Sequence, residues 1–333
     1  MPTRILDGAQ VASLLPMADC IDLMERTLGS LAAGRGILPL RTVMRLPGGR
    51  GVFGTMPAWL DEPMALGLKA IAVFPGNEGT ELDSHQGLVL LFDPVRGTPA
   101  AILDAASITA IRTAAVSGAA TRALASPDAS DLGILGSGVQ ARTHLEAMHL
   151  VRPLRRIRAW SPSRERLLGF VRWAGDRLHL EVESAASGRE AVLGADLVCT
   201  VTASPVPVLE GDWLAEGAHV NAVGASLPTT RELDTRAVAR SRLFVDRRES
   251  ALSESGDFLL ARAEGAVDDG HIVAEIGEVF RGLVPGRENA SQVTLFKSLG
   301  LAVEDLAAAA HVLRGAEAAG VGVVVDLGGR RSA

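Results

Sequence analysis

Apolar and polar positions follow two different patterns along the chain. In the N-terminal part, residues 10–33 carry apolar side chains at helical spacing and end near Gly34 and Gly36. Short apolar runs typical of strands follow at residues 38–46, 51–56, 65–74, 87–92 and 99–103. Turn residues at 93–97 favour a hairpin between the last two runs. The pattern predicts an α+β domain with an antiparallel or mixed sheet.

The second pattern is a regular alternation of strands and helices. It follows a helix that we expect Ser107 to cap and that ends near Leu124. Strands are predicted at 132–135, 156–160, 181–183, 196–202, 219–224, 242–246 and 292–295, and helices from 164, at 272–283 and at 302–319. Such alternation implies a parallel, doubly wound sheet with right-handed crossovers. A last strand at 321–325 is free to return to the first domain and make it discontinuous.

A glycine-containing turn lies between the first of these strands and its helix. Gly136-Ser137-Gly138 follows the apolar run, and Ala141, Leu145 and Met148 share one face of the next helix. The glycines let the backbone approach a pyrophosphate, and the helix N-terminus supplies N–H groups and a positive dipole end. Ala141 replaces the third glycine, which the dinucleotide fingerprint allows. The alternative is a purely structural strand-to-helix turn.

The end of the next strand bears on the choice of dinucleotide. It ends with Ser161 and Ser163 beside Arg164, and no carboxylate precedes Glu165. An acidic side chain there binds a ribose 2′-hydroxyl, whereas hydroxyls and a guanidinium suit a 2′-phosphate. The sequence therefore favours NADPH, with NAD possible. The alternative is that Ser161 and Ser163 only cap the following helix.

Composition narrows the classes of protein. The chain has 333 residues, 47% hydrophobic and 4% aromatic, with a net charge of −6, which argues against a general nucleic-acid binder. Cys20 and Cys199 stand far apart without partners at metal spacing, so neither a disulfide framework nor a metal site is expected. Residues 1–15 lack the basic region, apolar core and cleavage site of a signal peptide, and no apolar run reaches the length of about 20 residues that spans a bilayer. We expect a soluble, cytoplasmic protein that binds no membrane.

Three cations stand in apolar surroundings before the glycine turn, namely Arg41, Lys69 and Arg112. A buried charge without a partner is costly, so each implies a nearby anion. That anion is either an ordinary Asp or Glu of the protein, or the carboxylate of a ligand. Three cations in one pocket would clamp a small acid.

Motifs along nearly the whole chain resemble one family. They are Leu66-Gly-Leu-Lys69, Ser84-His85-Gln86-Gly87, Leu91-Phe92-Asp93-Pro94, Ile111-Arg112-Thr113-Ala114-Ala115, Gly136-Ser-Gly-Val-Gln140-Ala141 and Thr294-Leu-Phe-Lys-Ser298. Together they resemble the ornithine cyclodeaminase/mu-crystallin family. The resemblance implies a homodimer and an α/β fold, with a Rossmann domain at 126–319. It also implies a substrate-binding and dimerisation domain built from both chain ends, 1–125 and 320–333.

The resemblance also implies roles for individual residues. Arg41, Lys69 and Arg112 would hold the substrate carboxylate beside the nicotinamide, with Lys69 and Arg112 as the catalytic residues. The implied cofactor contacts are Ser84, His85, Arg112, Thr113, Gly136, Ser137, Gly138, Val139, Gln140, Ser161, Ser163, Arg164, Thr202, Ala203, Val223, Gly224 and Ser298. For His85 the functional interpretation is a cofactor contact or a proton relay. The ordinary alternative is a hydrogen-bonded loop residue.

One position departs from the pattern of the true cyclodeaminases, which carry an aspartate in a Gly-x-Asp-x-Pro segment. Here Ser226 occupies that place, in Gly224-Ala-Ser-Leu-Pro228, and Arg231-Glu232-Leu233 follows. A serine hydroxyl is a poor base without an activating partner. The segment is similar to the mu-crystallin side of the family and places Ser226 in the substrate pocket. It is also compatible with a plain turn at a strand end.

The sequence therefore leads to one main hypothesis and two alternatives. The main one is NAD(P)H-dependent reduction of a small, cyclic 2-imino acid or ketimine, or the reverse oxidation of an amino acid. Lys69 would donate the proton, because neighbouring guanidinium groups depress its pKa. The first alternative is a redox-neutral cyclodeaminase that releases ammonia from ornithine. The second is a non-catalytic protein that binds a carboxylate ligand together with NADPH.

Overall fold

The computed structural model describes residues 2–77 and 80–329 and contains two compact units. The first comprises Met1–Arg112 and Leu301–Ala333, and the second comprises Thr113–Gly300. The boundaries expected from the sequence, 125/126 and 319/320, lie farther along the chain than those of the two compact units. The first differs because the hydrophobic pattern shows no break inside the helix that contains Arg112. Which residues belong to each functional domain stays a prediction.

The strands are β1 (Pro2–Leu6), β2 (Gly36–Ile37), β3 (Thr42–Arg45), β4 (Val52–Leu60), β5 (Ala65–Val73), β6 (His85–Phe92), β7 (Pro99–Asp104), β8 (Asp131–Leu135), β9 (Arg156–Trp160), β10 (Glu183–Ser184), β11 (Leu197–Thr200), β12 (His219–Ala222), β13 (Arg242–Val245), β14 (Ile272–Glu275), β15 (Thr294–Lys297) and β16 (Val323–Asp326). The helices are α1 (Gly8–Leu14), α2 (Met17–Ala32), α3 (Ala105–Leu124), α4 (Val139–Val151), α5 (Arg164–Leu178), α6 (Gly188–Val192), α7 (Thr235–Ala239), α8 (Arg248–Glu254), α9 (Gly256–Ala263), α10 (Ile276–Phe280) and α11 (Ala302–Ala319).

The sheet of the first unit joins both ends of the chain. Its strand order is β16-β1-β7-β6-β5-β4-β2, and β3 pairs with β4 beside β2. The β1–β7 pair is parallel, and the other pairs are antiparallel. The pairing of β16 with β1 therefore brings the last described strand into the sheet that the first strand enters.

Helix α11 packs against one face of this sheet, across β4, β5 and β6. The buried positions of β5 alternate, and Ala65, Gly67 and Lys69 are on the buried face. Gly67 permits the close approach, because a Cβ there would lie 2.0 Å from the carbonyl oxygen of Leu90 and 3.2 Å from Leu306 of α11. The packing places Lys69 in the buried layer under α11.

The opposite face of the same sheet is also apolar. The strand register and the alternation of side chains place one set of residues on it, which we call the outer face. The large apolar side chains of the outer face are Met44, Phe53, Trp59, Leu66, Leu68, Leu88 and Leu90, and the polar residues Thr42, Thr55 and Gln86 lie on the same face. Met44 is 56% exposed and Leu88 is 48% exposed. An antiparallel sheet normally presents polar side chains to water, so this surface is unusual.

The sheet of the second unit is parallel throughout, in the order β10-β9-β8-β11-β12-β15-β13-β14. The chain runs from β8 outward to β9 and β10, and then returns to the other side of β8 at β11. This reversal creates a crevice at the carboxyl ends of β8 and β11, where open α/β sheets bind ligands. The expected α/β fold with a Rossmann-type parallel sheet is confirmed.

Several predicted elements differ from the structure. The apolar pattern of residues 10–33 forms two helices, because Pro16 lacks the N–H that a continuous helix requires. Of the predicted strand 38–46, only Thr42–Arg45 forms a strand, β3; the segment around Pro39 is irregular, and the short strand β2 precedes it. The predicted helix 272–283 begins as strand β14 and becomes helical only from Ile276. Short apolar runs do not distinguish the two structures.

The predicted cap of α3 was wrong, and the first strand was not predicted. Ser107 does not cap α3; its backbone N–H donates to the carboxylate of Asp104, which precedes the helix. Strand β1 was not predicted, because Pro2–Leu6 is too short for a clear alternation. Among the described residues, no helix is long and apolar enough to cross a membrane.

Candidate functional site

Four charged side chains lie together in the first unit and form what we call the charged cluster, Lys69, Arg112, Glu304 and Asp305. Lys69 Nζ is 3.2 Å from Asp305 Oδ1, and Arg112 Nε donates to the same oxygen at 2.8 Å. Arg112 Nη1 donates to Glu304 Oε2 at 2.7 Å. All four side chains are at most 5% exposed. One carboxylate oxygen thus bridges the two cations.

Three elements hold the charged cluster. Lys69 extends from β5, Arg112 comes from α3, and the two carboxylates lie in the first turn of α11. Acidic side chains are favoured there because they face the positive end of the helix dipole. Lys69 Nζ also donates to Thr109 Oγ1 at 2.7 Å, one turn before Arg112 on α3. The ammonium group is therefore held by two acceptors from different helices.

Burial dominates the electrostatics of Lys69. Desolvation lowers its pKa from 10.5 to about 8, assisted by the charges of Arg112 and Arg41 and opposed by Asp305. Burial disfavours an ammonium ion, whereas a neighbouring carboxylate favours it. Lys69 can therefore gain or lose a proton close to neutral pH.

Arg41 is half-buried in the irregular segment between β2 and β3. Its charge lies near enough to Lys69 to lower the pKa of the amine. Three cations, Arg41, Lys69 and Arg112, therefore lie close together in the first unit. Such a grouping suits a ligand that carries a carboxylate.

Ser84 and His85 lie at the start of β6, where Ser84 Oγ and His85 Nδ1 are 3.0 Å apart. Partial burial and the charge of Lys69 lower the pKa of His85. This shift favours the neutral form of the imidazole. This contact agrees with the hydrogen-bonded loop role that the sequence left open for His85, and no described contact distinguishes it from a relay.

The glycine turn of the second unit has the geometry that a pyrophosphate requires. Gly136 has a φ of +130°, and a Cβ there would lie 2.7 Å from the carbonyl oxygen of Val201. Gly138 is the N-cap residue of α4, with no capping side chain and with open space where its Cβ would be. The first N–H groups of α4 are thus not capped by a side chain, so this turn fits a dinucleotide.

The end of β9 lies next to this turn. Ser137 Oγ donates to Ser161 Oγ at 2.9 Å, which joins the two strand ends. Ser163 Oγ accepts the backbone N–H of Arg166 and caps α5, as the simpler interpretation of this serine expected. Arg164 is exposed. The structure thus gives Ser163 a capping role and leaves Ser161 and Arg164 as the groups that suit a phosphate.

Glu232 ties the ends of β11 and β12 together. Its carboxylate accepts the backbone N–H groups of Thr202 and Gly224, each at 2.6 Å, and the hydroxyl of Thr200 at 2.9 Å. A Cβ on Gly224 would lie 2.0 Å from the carbonyl oxygen of Thr202, so the two strand ends are in close contact. This brings Thr202 and Ala203 close to Val223 and Gly224, as expected for positions on one sheet edge.

The remaining expected residues are distributed as follows. Thr113 is buried in α3, and Ser298 is buried directly after β15. Val139 is exposed in the first turn of α4, and Gln140 follows it. Ser226 is exposed in the loop after β12, in the second unit, whereas the charged cluster belongs to the first unit. The two cysteines are buried and free.

Sequence reasoning missed the carboxylates of the site. Lys69 and Arg112 have carboxylates of the protein, Asp305 and Glu304, as partners. These two residues stand at the start of a predicted helix, where acidic residues are common, so nothing marked them as partners of distant cations. Glu232 was noted only as part of a motif. A guanidinium carries five N–H donors, so Arg112 can hold more than one anion.

Comparisons with known proteins agree with this geometry. Ketimine reductase mu-crystallin of Mus musculus is 43% identical over 309 residues, which are 92% of this chain and 93% of that protein. The structure of Thermococcus litoralis Delta(1)-pyrroline-2-carboxylate reductase, in complex with NADH and L-proline, superposes with a TM-score of 0.94 at 37% identity. It covers 97% of this chain and 100% of that one. An archaeal alanine dehydrogenase dimer with bound NAD has a TM-score of 0.92, at 32% identity and 98% and 100% coverage.

The family model of the ornithine cyclodeaminase/mu-crystallin family matches residues 1–319. The match extends through both units, from β1 to the end of α11. The resemblance stated from the sequence motifs is thereby confirmed. This chain belongs to the ornithine cyclodeaminase/mu-crystallin family.

Proposed function

We propose that this chain reduces a small 2-imino acid with NAD(P)H and, in reverse, oxidises the corresponding amino acid. The observation that carries the proposal is the charged cluster, because its buried cations Lys69 and Arg112 lie close to a third cation, Arg41. Relatives named as a ketimine reductase and a Delta(1)-pyrroline-2-carboxylate reductase support this chemistry. A cyclic ketimine carboxylate is the substrate class that we favour.

The role of the cluster is to bind the carboxylate. Arg41 and Arg112 are the groups we assign to it, because a guanidinium offers paired N–H donors to two carboxylate oxygens. Asp305 and Glu304 hold the guanidinium of Arg112 in a fixed orientation. A fixed carboxylate aligns the imine carbon, and such alignment supplies a large part of catalysis. The bound dinucleotide supplies the hydride.

Lys69 is the group that we assign to proton transfer. Reduction of a C=N bond requires a proton on nitrogen, and a general acid works best when its pKa lies near the operating pH. The pKa of about 8 for Lys69 meets this requirement. Ser226 has no carboxylate to accept a proton from a ring-closing amine, which argues against the cyclodeaminase reaction.

We propose that the dinucleotide binds at the glycine turn and that NADPH is preferred over NADH. The preference rests on Ser161 and Arg164 at the end of β9, where no carboxylate is present. The contacts are assigned to the same set that the family motifs imply, with the N-terminus of α4 facing the pyrophosphate. The two solved relatives contain NADH and NAD. The proposed preference for NADPH therefore rests on the residues of this chain and not on the relatives.

We also propose a homodimer in which two copies of the outer face pack together. The outer face is a contiguous set of apolar side chains on neighbouring strands, several of them more than a third exposed. Burial of apolar surface stabilises association by about 25 cal/mol for each Å² removed from water. A relative of known structure is a dimer. A self-complementary two-fold interface is the commonest arrangement of soluble homo-oligomers.

A substrate panel tests the reaction. We expect NADPH oxidation, followed by absorbance, with pyrroline-2-carboxylate or piperideine-2-carboxylate, or with pyruvate plus an amine. Lys69→Met should lower kcat by at least about 100-fold, because it removes the general acid. Ammonia release from ornithine without net change in NADPH would instead establish the cyclodeaminase reaction. Binding of cofactor and imine without any turnover would establish a binding protein.

The protonation of Lys69 can be measured directly, because Lys69 and Lys297 are the only lysines in the sequence. Protein labelled with [ε-¹³C]lysine should give two side-chain NMR signals, which Lys297→Arg assigns, and Lys69 should titrate near pH 8. Asp305→Asn removes the carboxylate that favours the ammonium, so the pKa should fall by at least about one pH unit. The high-pH limb of the imine-reduction profile should move to lower pH with it.

Glu304→Gln is the matched control for this titration. It changes the partner of Arg112 and leaves Asp305 and Thr109, the hydrogen-bond acceptors of Lys69, in place. Its Lys69 signal should titrate close to that of the wild type. A Lys69 signal that titrates near pH 10.5, or one that Asp305→Asn does not move, would contradict the role assigned to this pair.

Cofactor choice depends on Arg164. Arg164→Ala should raise the Kd of NADPH by about 10-fold and leave the Kd of NADH nearly unchanged, because only the 2′-phosphate contacts the guanidinium. Nucleotide fluorescence gives both constants without turnover. Arg172→Ala, which removes an exposed guanidinium from the same helix, is the control and should change neither. Equal loss of NADPH and NADH binding would exclude recognition of the 2′-phosphate by Arg164.

The dimer is tested by a charge on the outer face. The 34.7 kDa chain should sediment as a dimer, and Leu88→Glu should convert it to a monomer, because two carboxylates would be buried at the interface. Val95→Glu places the same charge on a residue that is 85% exposed in the turn after β6, and it should remain dimeric. A monomeric wild type, or a dimeric Leu88→Glu variant, would contradict the proposed interface.

A further inference from the structure

A second set of buried ionisable groups lies in the second unit, apart from the charged cluster. Glu232, Asp257 and Lys297 are each at most 2% exposed. Asp257 Oδ1 accepts the backbone N–H groups of Glu232 and Leu233 at 2.8 and 3.0 Å. Asp257 Oδ2 is 2.8 Å from Lys297 Nζ. We call these three side chains the strand-end network.

The strand-end network connects three neighbouring parallel strands at their carboxyl ends. Glu232 accepts hydrogen bonds from residues at the ends of β11 and β12, as described above. Lys297 is the last residue of β15, which pairs with β12. Gly256 brings α9 against the loop after β12, since a Cβ on it would lie 1.9 Å from the carbonyl oxygen of Thr230. This contact places Asp257, the next residue of α9, between Glu232 and Lys297.

The network lies on the side of the sheet where the nicotinamide half of a bound dinucleotide is expected. In a sheet ordered β9-β8-β11-β12-β15, the pyrophosphate of a bound dinucleotide would lie at the turn after β8, with the adenosine on the side of β9. The other nucleotide would then lie on the side of β11, β12 and β15. That nucleotide carries the nicotinamide, which is positively charged when oxidised and neutral when reduced.

The charge of the network is its distinguishing property. With both carboxyl groups ionised, the network contains two carboxylates and one ammonium and carries one negative charge. Both oxygens of Glu232 accept hydrogen bonds, which favours the ionised form, although burial and the charge of Asp257 raise the pKa of this carboxyl. Apolar side chains such as Val238, Phe258 and Leu295 surround the Asp257–Lys297 pair. Water therefore screens the negative charge poorly, and the charge acts over a longer distance than it would at an exposed site.

We infer that the strand-end network is a positioning device for the cofactor whose net negative charge favours oxidised over reduced nicotinamide. The inference rests on the dinucleotide site proposed above. The hydrogen bonds of Glu232 fix the backbone of Thr202 and Gly224, and the network charge attracts the cationic ring. Neither role requires any of the three side chains to touch the substrate.

Two substitutions remove the negative charge by different routes. Glu232→Gln and Asp257→Asn each bring the network to zero net charge with little change in shape. Asp257→Asn retains an oxygen that can accept the N–H groups of residues 232 and 233, whereas Glu232→Gln loses acceptors for the strand ends. A merely structural network would change the affinities for both redox forms alike, so the ratio of the two affinities isolates the effect of charge.

The test measures the Kd values of NADP⁺ and NADPH for the full-length protein by calorimetry and nucleotide fluorescence. We expect Kd(NADP⁺)/Kd(NADPH) to rise by about 5-fold or more in both variants, since a poorly screened charge is worth that much. Glu264→Gln, which removes a carboxylate paired with Arg231 at an exposed position, is the control and should leave the ratio unchanged. Thermal unfolding confirms that each variant is folded.

The possible results distinguish a failure of the proposed charge effect from a failure of the proposed cofactor site. If the wild type binds both forms and the ratio in both variants equals the wild-type ratio, the network does not act on the redox form and this inference is wrong. If one variant does not fold, the other still decides. If the wild type binds neither nucleotide, the proposed cofactor site is wrong and this inference falls with it.

Discussion

The buried cations of the first unit depend on carboxylates that come from the far end of the chain. Lys69 and Arg112 share Asp305 Oδ1, and Arg112 also binds Glu304. Desolvation would make either cation strongly unfavourable if it were left unpaired, so the site forms only when α11 packs on the sheet. The small side chains of α11 and Gly67 of β5 permit that approach. Folding of the chain ends and assembly of the site are therefore one event.

A carboxylate that stabilises the cations also competes with the ligand for them. Arg41 lies close enough to Lys69 to lower the pKa of the amine, and it adds a guanidinium that the charged cluster itself does not contain. The proposed ligand carboxylate would gain from this guanidinium, because its paired N–H donors match the two carboxylate oxygens.

The sequence predicted the alternating second half, the glycine turn and the candidate cations, because each depends on local patterns. The strand at 131–135, its glycines and the following helix are contiguous, and their physical roles can be inferred from spacing alone. The break at Pro16, the short strand before α10 and the first strand depend on tertiary context and were missed or misassigned. The partners Asp305 and Glu232 were not recognised either. Their functions come from long-range packing, and an acidic residue at a helix start or in a loop has many ordinary roles.

The choice of lysine in this chain has a physical interpretation. The sequence has 33 basic residues, and all of them except Lys69 and Lys297 are arginines. An arginine stays charged in almost any environment, whereas a buried lysine can be brought to titrate near neutral pH. At Lys69 the resulting pKa of about 8 suits the proton transfer that we propose for this residue, which an arginine could not perform. At Lys297 the pairing with Asp257 requires a compact ion at the end of a buried strand, where a guanidinium would need more space and more acceptors. The two lysines therefore lie where the proposed chemistry and the proposed cofactor position place the strictest demands on a cation.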